Sequence, residues 1–466
     1  MKLSIKSDNK NYLARVVELK NIRKHSNADK LQCVAIQGNN VITGLNAKEN
    51  DIYIYFPLEC AINKEYLSWS NSFESKELNA DVNAKGFFGK HGRVKAISLR
   101  GEKSEGYIVP ISNILNWLVS KGNKINPSDI GNIFPVDVDF DTIAGDDNKD
   151  ILLCEKYINP VLLQKANQEN KKKDKKVKRE SKIIPNQFRV SEDTEQLKRN
   201  MHKLELHDVI TISYKMHGTN MSMGKVLCKR KLNWSEKILK KFGIKIDENH
   251  YDLVYASRRV VKNEFADKKV DSFYDMDVWQ IMAEKYKDAI KDGVVLYGEV
   301  VNQLPNGKWI QKEYDYGLEP KKADFYTYRG TIVNSNGEVF EMTTPQLERY
   351  CKKMGIPMVP IFYYGTVRNY ILELNRGYHG GGEDSGKNID FEDRDWRDNL
   401  LRIWMDQYNE KNCYLCKNKV PEEGVVIIKE SDSFEAFKLK SFKFLKRESD
   451  ELDSGEVNIE DEESAV

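Results

Sequence analysis

Val209-Ile210-Thr211-Ile212-Ser213-Tyr214-Lys215-Met216-His217-Gly218-Thr219-Asn220 is the stretch from which the rest of the chain is read. Val209, Ile210 and Ile212 give its first half the apolar pattern of a half-buried strand. The strand ends on Lys215, and a small polar segment follows. A lysine in that position serves as a nucleophile or a phosphate contact. A surface lysine closing a strand is the bland alternative, and the residues downstream decide between them.

Five further pieces follow in order: Ala256-Ser257-Arg258-Arg259, Leu296-Tyr297-Gly298-Glu299-Val300, Asp324-Phe325-Tyr326-Thr327-Tyr328, Glu422-Glu423-Gly424-Val425-Val426-Ile427 and Phe437-Lys438-Leu439-Lys440. Each sets a short polar element on a β-branched or aromatic run, the pattern of polar groups projecting from strand ends into one cleft. The set, across residues 185–445, resembles the covalent nucleotidyltransferase superfamily of ATP-dependent DNA and RNA ligases and mRNA capping enzymes. The Lys-x-His-Gly-Thr-Asn form is most similar to the phage-type and RNA-editing RNA ligases.

That resemblance implies a division of labour. Lys215 is the nucleophile that accepts AMP as a phosphoramidate. A free lysine titrates near ~10.4 and attacks only when deprotonated, so neighbouring cations and partial burial, which disfavour the ammonium, are needed around it. Arg258, Lys438 and Lys440 are the candidate cations; they also suit the triphosphate and the charge that builds up in the transition state. Glu299 matches the acid that holds the ribose hydroxyls, and an unpaired glutamate in the apolar run VVLYGEVV would otherwise be costly. Glu423 matches the acid that holds a divalent cation, Mg²⁺ or Mn²⁺; one carboxylate suffices, because Mg²⁺ keeps waters and shares substrate phosphate. Glu422 points to the other face if the segment is extended, and reads as bland. Tyr328 takes the place of the ring that stacks on adenine, with Phe325 and Tyr326 as alternatives or ordinary core residues. His217 and Gly218 complete the ATP-binding set, and His217 stands where DNA ligases carry Asp, which favours the RNA branch. After Glu299 the run continues Val300-Val301-Asn302, where nick-sealing members often carry Gly.

The expected fold class is α+β: an N-terminal OB-type β-barrel module over 1–164, a lysine-rich linker over 165–184, a nucleotidyltransferase domain of antiparallel sheets flanked by helices over 185–446, and an acidic, disordered tail over 447–466. Short strands separated by turn residues read along 11–112, the spacing of a small barrel. The 25–31 stretch is similar to tRNA-binding OB modules. Phe87, Lys90, Arg93 and Lys95 place basic groups around an aromatic ring and are the candidate RNA contacts, against the alternative that Phe87 and Phe88 fill the barrel. Helical patterns appear at 275–290 and 344–354, and Ser191 reads as a short helix start.

The chain has 466 residues, 31% charged, with a net charge of +2 and seven scattered cysteines. No disulfide framework follows from these, and no run is long enough to span a bilayer. A cytoplasmic, monomeric protein is the expectation. Cys413 and Cys416 lack a second ligand pair at zinc spacing and read as two ordinary thiols. Gly381 to Asn388 has P-loop spacing without the strand, helix or Ser/Thr that a P-loop requires.

The functional expectation is an ATP-dependent RNA ligase joining a 3′-hydroxyl to a 5′-phosphate in a nicked duplex or a broken tRNA. A DNA ligase and a GTP-using capping guanylyltransferase are the enzyme alternatives; no OB domain follows Lys440, as it normally does in both. A non-catalytic RNA-binding protein is the alternative from another class.

Overall fold

The computed structural model describes residues 1–145, 150–160, 180–265, 276–380, 388–408 and 410–454. Two compact units result: Met1–Asn159 with the described residues from Leu445, and Pro160–Phe444. The candidate linker lies outside the described residues over 165–179, as do the P-loop-like segment over 381–387 and the tail from 455.

In the first unit every strand region read along 11–112 is present: Ala14–Glu18, the hairpin Leu31–Ile36 and Asn39–Gly44, Ile52–Phe56, Ile97–Leu99 and Tyr107–Pro110. Ile52–Phe56 pairs antiparallel with both Ala14–Glu18 and Tyr107–Pro110. Val16, Ile54, Phe56 and Val109 from these strands join one buried cluster with Trp117 and Leu118 of the helix Ile111–Ser120. That helix, a shorter one at Lys64–Trp69 and small strands between Asp139 and Lys156 add to the expected pattern.

The second unit carries two five-stranded sheets. One runs in the order Glu195–Gln196, Glu435–Lys440, Gly424–Lys429, Val209–Lys215, Ile361–Thr366, with only the first pairing parallel. The other runs Asn249–Ala256, Thr219–Lys229, Val294–Val301, Asp324–Val333, Val339–Glu341, antiparallel throughout. The α+β class with antiparallel sheets is therefore borne out. Met216, His217 and Gly218 carry the chain from the first sheet to the second. A Cβ on Gly218 would sit 2.4 Å from the Val300 carbonyl oxygen, so the crossing needs glycine there.

Both expected helices form. Thr344–Met354 starts on a capping box between Thr343 and Gln346 and ends at Gly355, whose φ of +68° closes the helix. Val278–Tyr286 is capped by the Asp277 side chain.

Three expectations are corrected. The linker does not extend to residue 184, because Ile183 bridges to Cys228 and the Ile184 amide donates to the Leu227 carbonyl at the sheet edge. Residues 191–194 form no helix; the turn of helix there is Leu197–Asn200. The tail is not disordered from 447, since Phe442–Asp453 is helical. Its charges are spaced for i,i+4 pairing, Lys446 with Asp450 and Arg447 with Glu451, which supports a helix that composition alone hides.

Candidate active site

Strand register brings the lysines together. Lys215 lies opposite Gly424, and Gly424 opposite Lys440; Ser213 lies opposite Val426, and Val426 opposite Lys438. Side chains two apart share a face of a sheet, so Lys215, Lys438 and Lys440 rise from the same side. Their sheet and its neighbour wall a cleft of about 850 Å³ with open solvent included. Ser213, Lys215, Asn220, Arg258, Glu299, Tyr328, Lys438 and Lys440 all line it, with Val426 and Ile428 among its apolar lining.

Glu423 is the charged centre. Its side chain is fully buried, and Lys215 Nζ lies 2.7 Å from Oε1. Lys440 Nζ is 3.6 Å from the same oxygen, and His217 Nδ1 is 3.7 Å from Oε2. The backbone fixes the carboxylate in place: the Ser441 amide donates to the Glu423 carbonyl at 2.8 Å. Gly424, with φ of +137°, turns the chain where a Cβ would meet the Leu439 carbonyl oxygen at 2.0 Å.

His217 is held from both ends. Its ring meets Tyr314 and Phe444 edge-on, at 4.9 and 4.8 Å between centroids. Its amide donates to the Tyr316 hydroxyl at 2.5 Å, and the Gln311 side-chain amide donates to the Gly218 carbonyl at 2.9 Å. The polar segment after Lys215 is thus fixed by a loop far along the chain.

On the opposite wall, Asn220 Nδ2 donates to the Tyr328 hydroxyl at 2.8 Å, and the Trp279 indole donates to the Asn220 carbonyl at 2.9 Å. Tyr328 lines the cleft, whereas Phe325 is fully buried in a core cluster. Arg258 is held by Asp193 at 2.8 Å. Burial raises the Asp193 carboxyl, and Arg258, then Arg259 and Lys438, more than offset it, leaving it below the usual range. Arg259 shares the Asp193 carboxylate, at 3.5 Å.

The RNA ligase family model matches residues 208–445, the span that contains Lys215, Arg258, Glu299, Tyr328, Glu423, Lys438 and Lys440. The chain belongs to the RNA ligase family. Its fold is similar to that of the Naegleria gruberi RNA ligase. A Lys→Met mutant of that protein with AMP and Mn matches with a TM-score of 0.52 at 14% identity, covering 94% of this chain and 99% of that one. The same protein with PPi matches with a TM-score of 0.51 at 14% identity, with the same coverage. No curated protein matches the chain.

Several residues that shape this ligase's cleft escape a motif reading. Tyr316, Gln311 and Asp193 contribute through the contacts above, and Phe434 lines the cleft with the Arg329 guanidinium 4.0 Å from its ring centre. Glu422 is the clearest miss. It is buried, its Oε1 has no hydrogen-bond partner among the described residues, and burial, opposed by Lys411, pushes its carboxyl up to about 7. Cys413 and Cys416 are hydrogen-bonded to one another, which lowers the Cys413 thiol and raises that of Cys416. Among the described residues no cluster of three or more metal-ligating side chains occurs.

In the first unit of the ligase the four candidate RNA contacts separate. Phe87 is 61% exposed and Lys90 is exposed, while Phe88 is buried. Arg93 is buried: it pairs with Glu59 at 3.1 Å and Asp453 at 2.5 Å, and donates to the Ser449 carbonyl. Lys95 pairs with Asp453 at 2.6 Å. Arg93 and Lys95 thus both pair with the helix Phe442–Asp453. Among the described residues no helix is long and apolar enough to cross a membrane.

Proposed function

We propose that this RNA ligase uses ATP to seal a 3′-hydroxyl to a 5′-phosphate, with Lys215 as the AMP acceptor. The observation that carries the reading is Lys215 Nζ, 2.7 Å from a fully buried Glu423, in a cleft that also presents Glu299, Tyr328, Arg258, Lys438 and Lys440. A neutral Lys215 attacks the α-phosphorus; the P–N bond forms, the P–O bond to pyrophosphate breaks, and AMP stays on the lysine. The 5′-phosphate of the RNA then takes AMP from Lys215, and the 3′-hydroxyl displaces AMP to form the phosphodiester.

Each cleft residue has a part. Tyr328, oriented by Asn220, stacks on the adenine, an interaction worth roughly 1–3 kcal/mol. Glu299 accepts from the ribose hydroxyls. Lys438, Lys440 and Arg258 neutralise phosphate charge as it shifts from the triphosphate to the RNA end. His217 and Gly218 set the exit of the Lys215 strand. Glu423, a buried carboxylate, would hold one Mg²⁺ or Mn²⁺, a cation that also takes phosphate and water as ligands. When bound, that cation supplies positive charge to the triphosphate. Lys215 attacks only once its pair with Glu423 opens. In the first unit we read the strands as an OB-type RNA-binding module, with exposed Phe87 and Lys90 as its contacts.

Incubation with ATP labelled at the α-phosphate and Mg²⁺ tests the proposal. Wild type takes up label and Lys215→Ala takes up none; label retained in the variant overturns the assignment. Equal or better labelling from GTP would favour the capping chemistry instead.

A further inference from the structure

The strands Thr219–Lys229 and Asn249–Ala256 begin and end at the cleft, and run away from it as a paired ribbon as far as Lys229 and Asn249. Nine residues separate Asn220 from Lys229, about 30 Å at strand spacing. At the far end the chain makes a helix, Trp234–Lys241, none of whose residues is buried. It is nevertheless well built, because Asn233 and Glu236 form a capping box at its start.

Its surface is unusual for a solvated element. Trp234 and Phe242 are each 79% exposed, and Leu239 and Ile244 are exposed beside them. Trp234, Ile238 and Phe242 follow one another at intervals of four and share a stripe, with the two rings about 12 Å apart along the helix. Lys237 and Lys241, three and seven residues after Trp234, border the same stripe. Residues 229–245 hold seven basic side chains (Lys229, Arg230, Lys231, Lys237, Lys240, Lys241, Lys245) against one acid, Glu236. Three of the seven are paired, Lys229 with Glu180, Arg230 with Glu236 and Lys240 with Glu248. Lys231, Lys237, Lys241 and Lys245 have no ion-pair partner among the described residues.

We infer that this hairpin tip is a second RNA-binding surface, which grips an unpaired segment of the substrate some 30 Å from the bond being sealed. The inference rests on the ligase reading for the identity of the polyanion. Exposed rings interleaved with unpaired lysines match the chemistry of a single strand, whose bases stack and whose phosphates attract cations. A duplex offers the rings no free base face, and the stripe is too short to lie in a bilayer as a stable amphipathic helix.

The test uses the full chain and a labelled single-stranded 20-nucleotide oligouridine. Trp234→Ala with Phe242→Ala weakens binding at least tenfold. Lys237→Glu with Lys241→Glu weakens it too, and lowers the slope of log affinity against log salt by about 1.4, two contacts' worth for a single strand. Both doubles keep wild-type labelling from ATP, which shows that they fold and that the cleft is intact. Unchanged oligouridine affinity in both overturns the inference. So does oligouridine binding left intact while binding to anionic vesicles, or self-association in sedimentation, is lost. Failure of the ATP reading would appear separately, as absence of label in wild type.

Discussion

Beneath the cleft lysines one carboxylate, Glu423, faces Lys215 at 2.7 Å and Lys440 at 3.6 Å; in the first unit one guanidinium, Arg93, faces Glu59 at 3.1 Å and Asp453 at 2.5 Å. Both are buried charges met by two opposite ones. They differ in what surrounds them and in what their cations can do. Lys215 and Lys440 remain 14% and 18% exposed and line an open cleft, while Arg93 is 4% exposed and donates to a backbone carbonyl as well. A lysine can release its proton and become a nucleophile; an arginine cannot in a protein. The first cluster is therefore suited to chemistry and the second to holding a helix in place.

The sharpest way to break that contrast is to put the cation of one cluster into the other. Lys215→Arg keeps the charge facing Glu423, so the fold should survive, but no neutral amine can form. Label from ATP should fall below detection while the urea midpoint stays within the wild-type range; any covalent label at position 215 would refute the role of the free amine. Glu423→Gln comes next. It removes the charge but not the shape, and labelling should drop about 10²–10³-fold, the usual loss when one preorganised electrostatic partner is removed. The converse holds for Arg93→Met. Two carboxylates lose their buried partner, at a cost of about 3–5 kcal/mol by denaturant unfolding, while labelling per folded molecule is unchanged. Activity lost in proportion at full stability would make Arg93 part of the chemistry.

The same contrast explains what could be read from the chain. The cleft is built from local rules: Lys438 and Lys440 two apart, Lys215 at a strand end, Glu423 before Gly424. Strand periodicity puts the three lysines on one face once the sheet forms, and the register confirms it; Glu423 lies just before the strand, at the turn that Gly424 makes. Arg93 is different. Its partner Asp453 lies 360 residues away, and nothing in Gly-Arg-Val-Lys marks the arginine as buried. Tyr316 gives no signal either, since its contact with the His217 amide is made from a loop without periodicity. Glu422 was not legible in its burial: residues 422 and 423 precede the strand Gly424–Lys429 and both lie inside the protein, so neither side is solvent.

Glu59 offers the finest discrimination between a pair that binds and one that only compensates. Burial raises its carboxyl above the ordinary 4.5, and Arg93 pulls it only part of the way back. A raised carboxyl binds its proton more tightly in the folded state than in the unfolded one. Its contribution to stability is therefore present below the ordinary carboxylate range and is lost as pH rises through the window between 4.5 and the raised value. Glu59→Gln cannot ionise and has no such term. Urea midpoints for wild type and Glu59→Gln across pH 4 to 7.5 should thus move apart, with the glutamine form gaining on wild type as pH rises. Parallel curves would mean that Arg93 already offsets the burial of Glu59 in full. The two clusters would then differ in their cation's chemistry but not in how well their carboxylates are matched.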